Sequence, residues 1–590
     1  GRAVLDGPGR MVDQGGRVLA ATADGAEPSS DRPRRITWRD MVIVRFSERT
    51  VDGRTRQEID EAWFHGGVRL RQGTSDDEEF VHCDELRVDM TDLGGRVAPS
   101  EAVAIGNVHA RQEGRDIRAD RGVLQFEPHR SRPGEPLEMR PARFDALGNV
   151  RVADPDADEP LEATADRIVS DLVQRNAVLY GGEKQAHWAE MRQGANRLRG
   201  REIHLYQVPD LRGSGRELEV RTEGYGTLDF RTRRGLDGRD LASARPVRIA
   251  WSRSMSYQGD RDTAEFFGDV ELDSGPDHMA AEAMRVRFER TEARGDAAPE
   301  APDEGDEDAL ALSMENYSKR RIAMIRAEGS DPAERNVLLR RRQTDEAGRL
   351  LRRMQLRSTD LQYDATLARV IITSWGKMVA EDYRPPERDA PDEGGLVAAD
   401  VQRPSQTVIE WQAADARDRE GDRGPACYME LLQKRRQATV HGDVTLRHRS
   451  GRKIVRAASL RVPEWGELPP GRRMDLRCGH AVVWFAEPDA AGDDDGEAPA
   501  LGRFERFSAA RRVNFQYGPW QILGERVLYS RTEDVATAWG YRKGATPADA
   551  QVVHEDVETG RSQTWSSPKV QVFPRTERVV TEGGTGTFGR

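Results

Sequence analysis

A short phrase introduced by glycine returns along this chain and restricts the folds that it can adopt. The phrase opens an alternation of apolar and polar residues, and a second alternating stretch follows 13 to 17 residues later. Strict period-two alternation places Val and Leu on one face of a β-strand and Arg or Glu on the other. A repeated unit of hairpin size predicts an elongated, repetitive all-β protein rather than a compact enzyme. The copies begin at residues 66–70, 106–108, 268–272 and 442–446.

The composition favours thin sheets over large globular cores. Hydrophobic residues make up 37% of the 590 residues and charged residues 33%. This balance suits a sheet with one dry face and one solvated face. It is also typical of disordered chains, but the repeated strand patterns argue against disorder for most of this one.

The sequence argues against a nucleic-acid partner, a disulfide scaffold, a zinc module and a transmembrane segment, and it leaves the export route open. The net charge of -11 comes from interleaved acidic and basic residues, with no basic stripe of the kind that binds nucleic acid. Three scattered cysteines predict neither a disulfide scaffold nor a zinc module. No apolar run is long enough to predict a transmembrane segment. The residues after Gly1 do not resemble a signal peptide, so the sequence does not indicate an export route.

A larger repeat is built from a glycine turn, an Ile-x-Trp element and the glycine phrase, in the same order three times. The spacings drift, as expected of variable loops on a fixed strand frame. We therefore expect three β-jellyroll superunits, at 1–215, 216–365 and 366–590. The recurring tryptophans are expected to anchor sheet packing, or alternatively to line an apolar groove. They are Trp38, Trp251 and Trp411.

Other segments interrupt the alternation. Four stretches rich in Asp, Glu, Pro, Ala and Gly predict disordered acidic loops or linkers, near 21–35, 292–307, 384–400 and 487–500. The segment 331–353 holds the best helix candidate, but its centre at 345–348 has the composition of a hairpin turn, and we favour the turn.

The repeated polar residues point to structure rather than catalysis. We interpret the glycine of each phrase as a bulge, where Asn or Asp tolerates a positive φ, rather than as a point of ligand approach. Asp120 and Asp166 each follow an alanine once per repeat, whereas glycosidic catalysis needs two carboxylates at one bond. We expect these aspartates to hydrogen-bond nearby backbone.

Histidines show no metal-binding spacing, and His65, His109 and His441 lie close to the repeat glycines as expected of surface positions. No nucleophile elbow or supported Cys/His pair occurs. We therefore predict no catalytic residue, no metal site and no cofactor.

The composite pattern resembles the LptA/OstA family (organic solvent tolerance-like), the repeated β-jellyroll modules of lipopolysaccharide transport. The pattern is an Ala-Thr-Ala-Asp-Arg-Ile-Val strand at 163–169, a strand end and turn at 178–182, and a strand at 198–205. Gly-Asn-Val at 106–108 and 148–150 and Gly-Asp-Val at 268–270 extend the match. The resemblance is strongest over 81–206 and 248–288.

The resemblance implies a V-shaped, incompletely closed jellyroll whose interior shelters acyl chains, at about 0.8 kcal/mol per buried CH₂. The implied ligand is lipopolysaccharide or a similar glycolipid. The implied partners are other Lpt-type jellyroll proteins, joined by edge-strand pairing. The implied location is the periplasm or the cell envelope, at the outer membrane, of a didermic bacterium, with no catalysis. The candidate groove residues are Val108, Val123, Val270, Leu272, Val286, Phe288, Val444 and Leu446.

Two alternatives remain open at this point. A structural or adhesive β-solenoid of the envelope would fill its interior with its own side chains. A polysaccharide-active enzyme on a β-helix would need three or four convergent Asp, Glu or His side chains. An open apolar groove would instead favour transport.

Overall fold

The computed structural model is built of β-strands, which confirms the predicted all-β jellyroll fold class. It describes residues 1–13, 18–19, 34–290, 320–383, 405–413, 426–450, 473–485 and 504–588, apart from internal gaps of at most six residues. Of the predicted acidic loops, 292–307, 384–400 and 487–500 lie outside the described residues, as does 21–33. The strand stretch at 457–462 lies outside them too. Among the described residues the only helical elements are short 3₁₀ turns, which are Gln185–His187, Gly259–Arg261, Gln433–Arg435 and Pro574–Thr576.

The strands of the first half are β1 (Arg2–Asp6), β2 (Gly9–Asp13), β3 (Val18–Leu19), β4 (Arg34–Trp38), β5 (Met41–Val51), β6 (Arg54–Gln72), β7 (Glu79–Asp92), β8 (Val97–Gln112), β9 (Arg115–His129), β10 (Glu138–Asp154), β11 (Leu161–Asp171), β12 (Asn176–Tyr180), β13 (Ala189–Gln193), β14 (Asn196–Pro209), β15 (Arg216–Arg234), β16 (Asp240–Trp251), β17 (Ser254–Gln258), β18 (Thr263–Ser274) and β19 (Asp277–Arg290). The strands of the second half are β20 (Arg320–Glu328), β21 (Val337–Thr344), β22 (Leu350–Ser358), β23 (Asp360–Asp364), β24 (Arg369–Ile372), β25 (Gly376–Asp382), β26 (Ser405–Gln412), β27 (Tyr428–Leu432), β28 (Gln437–Ser450), β29 (Arg473–Phe485), β30 (Phe504–Tyr517), β31 (Trp520–Ser530), β32 (Val535–Trp539), β33 (Tyr541–Lys543), β34 (Thr546–Ala548), β35 (Ala550–Glu555), β36 (Ser562–Ser567), β37 (Lys569–Phe573), β38 (Arg578–Thr581) and β39 (Thr585–Phe588).

The chain forms two compact units, each described by itself. The first unit comprises Gly1–Arg231, Ala250–Phe266 and Arg290–Arg320. The second unit comprises Thr232–Ile249, Phe267–Glu289 and Arg321–Arg590. The three superunits that the sequence repeat predicts, at 1–215, 216–365 and 366–590, remain a prediction.

In the first unit each long strand bends and takes part in two walls. The first half of β6 pairs with β5, and its last residues pair with β4. The register between β6 and β7 shifts between His65 and Val68, at the bend. The same division recurs along β7 to β11, as their registers show. Wall A contains β4 and the strand halves in line with it, and wall B contains β5 and the halves in line with β5.

The bends lie at the repeated glycine phrase, for a reason of backbone geometry. Gly106 has φ +75° and Asn107 φ +46°, both in the left-handed region. Gly148 and Asn149 repeat this conformation, with φ values of +76° and +49°. Gly adopts positive φ without penalty, and Asn tolerates it better than most residues. The interpretation of the phrase as a bulge is confirmed, because the ladder between β8 and β9 also shifts here.

The repeated aspartates fasten these bulges. Oδ2 of Asp84 accepts a hydrogen bond of 2.8 Å from Nδ2 of Asn107, and Asp120 accepts one of 3.1 Å from Asn149. A Cβ added to Gly106 would lie 2.3 Å from the same Asp84 oxygen, so the carboxylate occupies the space that glycine leaves. Asp84 and Asp120 are therefore structural, but their bonds come from a side-chain amide on the next strand rather than from nearby backbone.

Each recurring tryptophan lies over a glycine of the neighbouring strand. A Cβ on Gly9 would lie 2.1 Å from Cζ2 of Trp38, and one on Gly376 would lie 2.1 Å from Cζ2 of Trp411. Trp251 lies over Gly226 in the same way, since a Cβ added to Gly226 would lie 2.2 Å from Cζ2 of Trp251. All three rings are at most 6% exposed, which agrees with their predicted role as packing anchors.

The second unit repeats the two-walled plan. The first residues of β28 pair with β27, and the residues after Gly442 pair with β26. Gly442 has φ +123°. In β30 the bulge is formed by Arg511 and Arg512, with φ values of +67° and +53°, and no glycine marks it. This bend has no counterpart in the sequence pattern.

The segment proposed as a possible helix is a β-hairpin. Strands β21 and β22 pair in antiparallel register across a turn. In the turn, the amide of Gly348 donates to the carbonyl of Asp345 at 2.9 Å. The turn predicted at 345–348 is therefore present, and the leucines on either side belong to strands.

Candidate lipid-binding groove

Wall A carries a continuous row of apolar side chains across the first unit. Each member lies directly opposite the next on the neighbouring strand, so the row runs across the strands. The row contains no charged or polar residue. Its members, in order, are Met11, Ile36, Leu70, Val81, Ala110, Ile117, Val152, Ala163, Met191, Leu198 and Leu228.

Wall B carries two such rows. The row nearer the bends is Val42, Phe64, Leu86, Ala104, Gly122, Ala146, Ile168, Leu179, Ile203, Thr222 and Met255. The next row is Val44, Ala62, Val88, Ala102, Leu124, Phe144, Ser170, Ala177, Leu205, Val220 and Tyr257. Only Ser170, Thr222 and Tyr257 carry a polar group.

The rows of the two walls face a common interior. The rings of Trp38 in wall A and Phe64 in wall B are 5.5 Å apart. A Cβ added to Gly122 in wall B would lie 3.7 Å from Cγ1 of Val108 in wall A. These contacts join the walls near the bends.

Burial changes along each row, which divides the interior into an open and a closed section. In wall A, Leu70 and Val81 are half-buried, whereas Ala163 and Met191 are fully buried. In wall B, Leu124 is half-buried. Farther along its row, Ala177, Leu205 and Val220 are fully buried. The same alternation thus presents reachable apolar surface at one end and a packed core at the other.

We call the half-buried apolar positions of β4 to β10 the open section. It lies on the strands that carry the first two Gly-Asn-Val phrases. Of the groove residues predicted from the sequence, only Val108 lies beside these positions on the inner face. The other positions could not be predicted, because only the register shows which residues of neighbouring strands share a face. The members of the open section are Ile36, Ala62, Leu70, Val81, Val88, Ala102, Ala110, Leu124 and Phe144.

Seven of the eight predicted groove residues are core positions. They are exposed by at most 7%. Val108 lies in the first unit beside the open section. Val444 and Leu446 lie in the second unit, opposite Trp411 and Ile409. The remaining core positions are Val270, Leu272, Val286 and Phe288.

Val123 differs from the other seven. It is half-buried and lies between Gly122 and Leu124, which face the interior. Since successive residues of a strand point to opposite faces, Val123 lies on the outer face, opposite Val103 of β8. Opposite the bulge of β8 at Gly106, the alternation of β9 changes phase between Ala119 and Gly122, and that change moves Val123 out of the set.

The interior of the second unit is filled by aromatic rings at β30 and β31. Phe507 lies 5.0 Å from Phe515 and 5.7 Å from Tyr529, measured between ring centroids. Tyr517 lies 5.8 Å from Tyr529. The four rings are at most 5% exposed. This spacing is that of packed aromatic pairs and leaves no room for a further chain between them.

Polar groups are found at the borders of the groove rather than within it. Arg115 and Asp154 pair at 2.9 Å where wall A ends. Burial raises the pKa of the Cys83 thiol to about 12, so this wall residue stays neutral. Among the described side chains, no three of His, Cys, Asp and Glu approach one another as metal ligands would. No helix found in the described ranges is long and apolar enough to span a membrane.

Comparison with known families gives one match, and it lies on the strands of the groove. Residues 84–209 match the family described as LptA/(LptD N-terminal domain) LPS transport protein. The match begins within β7 and ends with β14, so it contains much of the open section. No curated protein matches the chain. The resemblance to the LptA/OstA family is thereby confirmed over residues 84–209, which are similar to the LptA/LptD N-terminal type.

Proposed function

We propose that this chain binds lipopolysaccharide or a similar glycolipid by holding its acyl chains in the open section, and that it passes the lipid on without catalysis. The observation that carries the proposal is the half-buried apolar face of β4 to β10, which has no charged side chain in its three rows. The family match over 84–209 supports a role in LPS transport.

The physical driving force is the removal of acyl surface from water. Each buried CH₂ contributes about 0.8 kcal/mol, so ten methylenes would contribute at most about 8 kcal/mol. The gain is smaller in a trough that leaves one side of the chain wet. Neighbouring positions along a row have similar chemistry, so a lipid can move between them with little change in free energy.

We further propose that other Lpt-type jellyroll proteins pair with this chain at β1, in the periplasm or cell envelope. Val4 and Leu5 of β1 are 49% and 54% exposed. The strand pairs with β5 along one edge. An exposed apolar edge strand is a template for strand addition.

The proposal is tested by two substitutions at adjacent residues of β9. Leu124→Glu places a carboxylate in the open section, whereas Val123→Glu places it on the outer face. Both positions are half-buried, so the pair is matched in strand, chemistry and exposure. Each protein is incubated with envelope lipid extract, repurified and examined by mass spectrometry for retained glycolipid, after circular dichroism has confirmed the β fold.

We expect wild type and Val123→Glu to retain glycolipid in stoichiometric amount and Leu124→Glu to retain little. Equal retention by all three proteins would place the lipid elsewhere. Failure of folded wild type to retain lipid from several extracts would favour the second candidate, a structural or adhesive β-solenoid of the envelope. The observation in favour of that candidate is the aromatic interior around Phe507 and Phe515.

A further inference from the structure

The hairpin of β21 and β22 carries an unusual group of cations on its outer face. Leu339 and Leu356 face each other in the interior row of the second unit. The alternate residues point the other way, and Arg342 lies directly opposite Arg353 on that outer face. We call the outward arginines of this hairpin the four-arginine cluster, which comprises Arg340, Arg342, Arg353 and Arg357.

Only one member of the cluster is neutralised by a carboxylate. Nε of Arg353 donates to Glu381 of β25 at 2.6 Å. Within the described residues, no ion pair is formed by Arg340, Arg342 or Arg357. Counted over the described residues, the cluster therefore carries about three positive charges in excess. Like charges on facing strands destabilise a sheet, so an anion that joined them would relieve a cost of folding.

The flanking strands do not supply the missing negative charge. On one side Lys377 lies opposite Arg357, and its own partner is Glu410 at 2.7 Å. On the other side His278 lies opposite Arg340, and its Nδ1 lies 2.8 Å from Asp273. The carboxylates that pair with these two flanking residues are thus already engaged.

The cations also influence one another. Burial lowers the pKa of Arg340, and the positive charges of Arg342, Arg353 and Arg357 lower it further. This mutual effect agrees with the register, which places the four residues on one face of the hairpin.

We propose that the four-arginine cluster is a binding site for a phosphorylated saccharide, which it holds through two phosphate groups. The guanidinium fork matches the oxygens of a phosphate in two parallel hydrogen bonds. Neighbouring strands lie about 4.8 Å apart and alternate residues of one strand about 6.8 Å apart, so the cluster is wide enough for two phosphates. The site lies in the second unit and does not depend on the acyl groove proposed for the first.

The test measures binding of fructose 1,6-bisphosphate to the full chain by calorimetry at low ionic strength. The variant Arg340→Gln/Arg342→Gln/Arg357→Gln removes the excess charge and leaves the pair between Arg353 and Glu381 intact. The matched control replaces three exposed arginines of the same unit, Arg477, Arg506 and Arg526, by Gln, and so changes the net charge equally.

We expect the cluster variant to bind the bisphosphate roughly 100-fold more weakly and the control to bind it like wild type. The reason is that the cluster variant loses charge-assisted hydrogen bonds to phosphate, which are stronger than hydrogen bonds between neutral groups. If the cluster variant fails to fold, the triple Arg→Lys variant keeps the charge but loses the fork, and we expect roughly tenfold weaker binding.

Three results would overturn the proposal. The first is that wild type does not bind the bisphosphate. The second is that the cluster Arg→Gln variant and the control Arg→Gln variant weaken binding equally, which would indicate an effect of net charge alone. The third result uses vesicles of phosphatidylglycerol, with phosphatidylcholine vesicles as the neutral comparison. Cluster-dependent binding to the anionic vesicles without binding to the bisphosphate would make the cluster a membrane-surface contact.

Discussion

The contact between Gly376 and Trp411 permits a quantitative prediction about the repeat. Gly376 lies directly opposite Trp411 in the ladder of β25 and β26. Its missing side chain gives room to the indole, whose Nε1 donates to the carbonyl of Ser374 at 2.9 Å. We expect Gly376→Ala to destabilise the second unit by displacing this ring.

The magnitude follows from the distances. The new Cβ would lie 2.1 Å from Cζ2 of Trp411, whereas carbon atoms in contact lie about 3.5 to 4.0 Å apart. The ring is 2% exposed, so it cannot move outward freely. Overpacking of a core costs about 1 to 3 kcal/mol, and loss of the indole hydrogen bond adds about 1 kcal/mol. We therefore expect a loss of about 2 to 4 kcal/mol in the free energy of unfolding.

A double-mutant cycle with Trp411→Leu isolates the contact. The smaller leucine leaves space for the methyl group, so Gly376→Ala should be nearly neutral in that background. Urea titration followed by circular dichroism gives the overall change, and hydrogen exchange of peptides from β25 and β26 gives the local one. An equal loss in both backgrounds would refute the steric explanation, and so would an Ala variant as stable as wild type.

Three further predictions concern charge. Asp277→Ala should cost about 3 kcal/mol in urea titrations, because it leaves Arg341, which is 13% exposed and 2.6 Å from Asp277, without its buried carboxylate. Burial raises the pKa of Cys478 to about 12, so iodoacetamide at pH 8 should label this thiol only as urea unfolds the chain; rapid native labelling would contradict this. The hydrogen bond from Arg111 lowers the pKa of Asp116, so its stabilisation is present above the unfolded pKa of about 3.9 and is lost as the pH falls through the lower folded value. Asp116→Asn should therefore flatten acid denaturation measured by circular dichroism, and an unchanged acid limb would disprove the role of this pair.

The bends could be predicted from the sequence only where their chemistry is local. At Gly106 and Asn107, residue type alone indicates left-handed backbone, and the structure has it there. At Arg511 and Arg512 the same conformation is held by two residues that do not favour it. Tertiary pairing with β29 and β31 on either side imposes that bend, and no single-sequence pattern carries such information.

The sequence predicts that the strands have an apolar face, but it does not predict which residues of neighbouring strands form the candidate groove. Alternation shows that Val108 shares a strand face with other apolar residues, yet it does not show which strands lie beside it. Opposite the bulge after Ile105, the alternation of β9 changes phase between Ala119 and Gly122, and this change places Val123 on the outside. Asp277 and Arg341 lie 64 residues apart in the chain, and only the register and burial show that they meet inside.

Side-chain volume gives a physical reason why one plan leaves half-buried apolar positions in the open section of the first unit and a closed interior at β30 and β31 of the second. The open section contains small, half-buried residues, such as Ala62, Ala102 and Ala110. In the second unit, the rings of Phe507 and Phe515 pack against each other in the interior. A Phe side chain can bury 150 Å² or more, whereas Ala and Gly leave that area to be covered by another group. The interior near the small residues thus has unsatisfied apolar surface, which an acyl chain would cover, while the aromatic interior satisfies itself and gains nothing from a ligand.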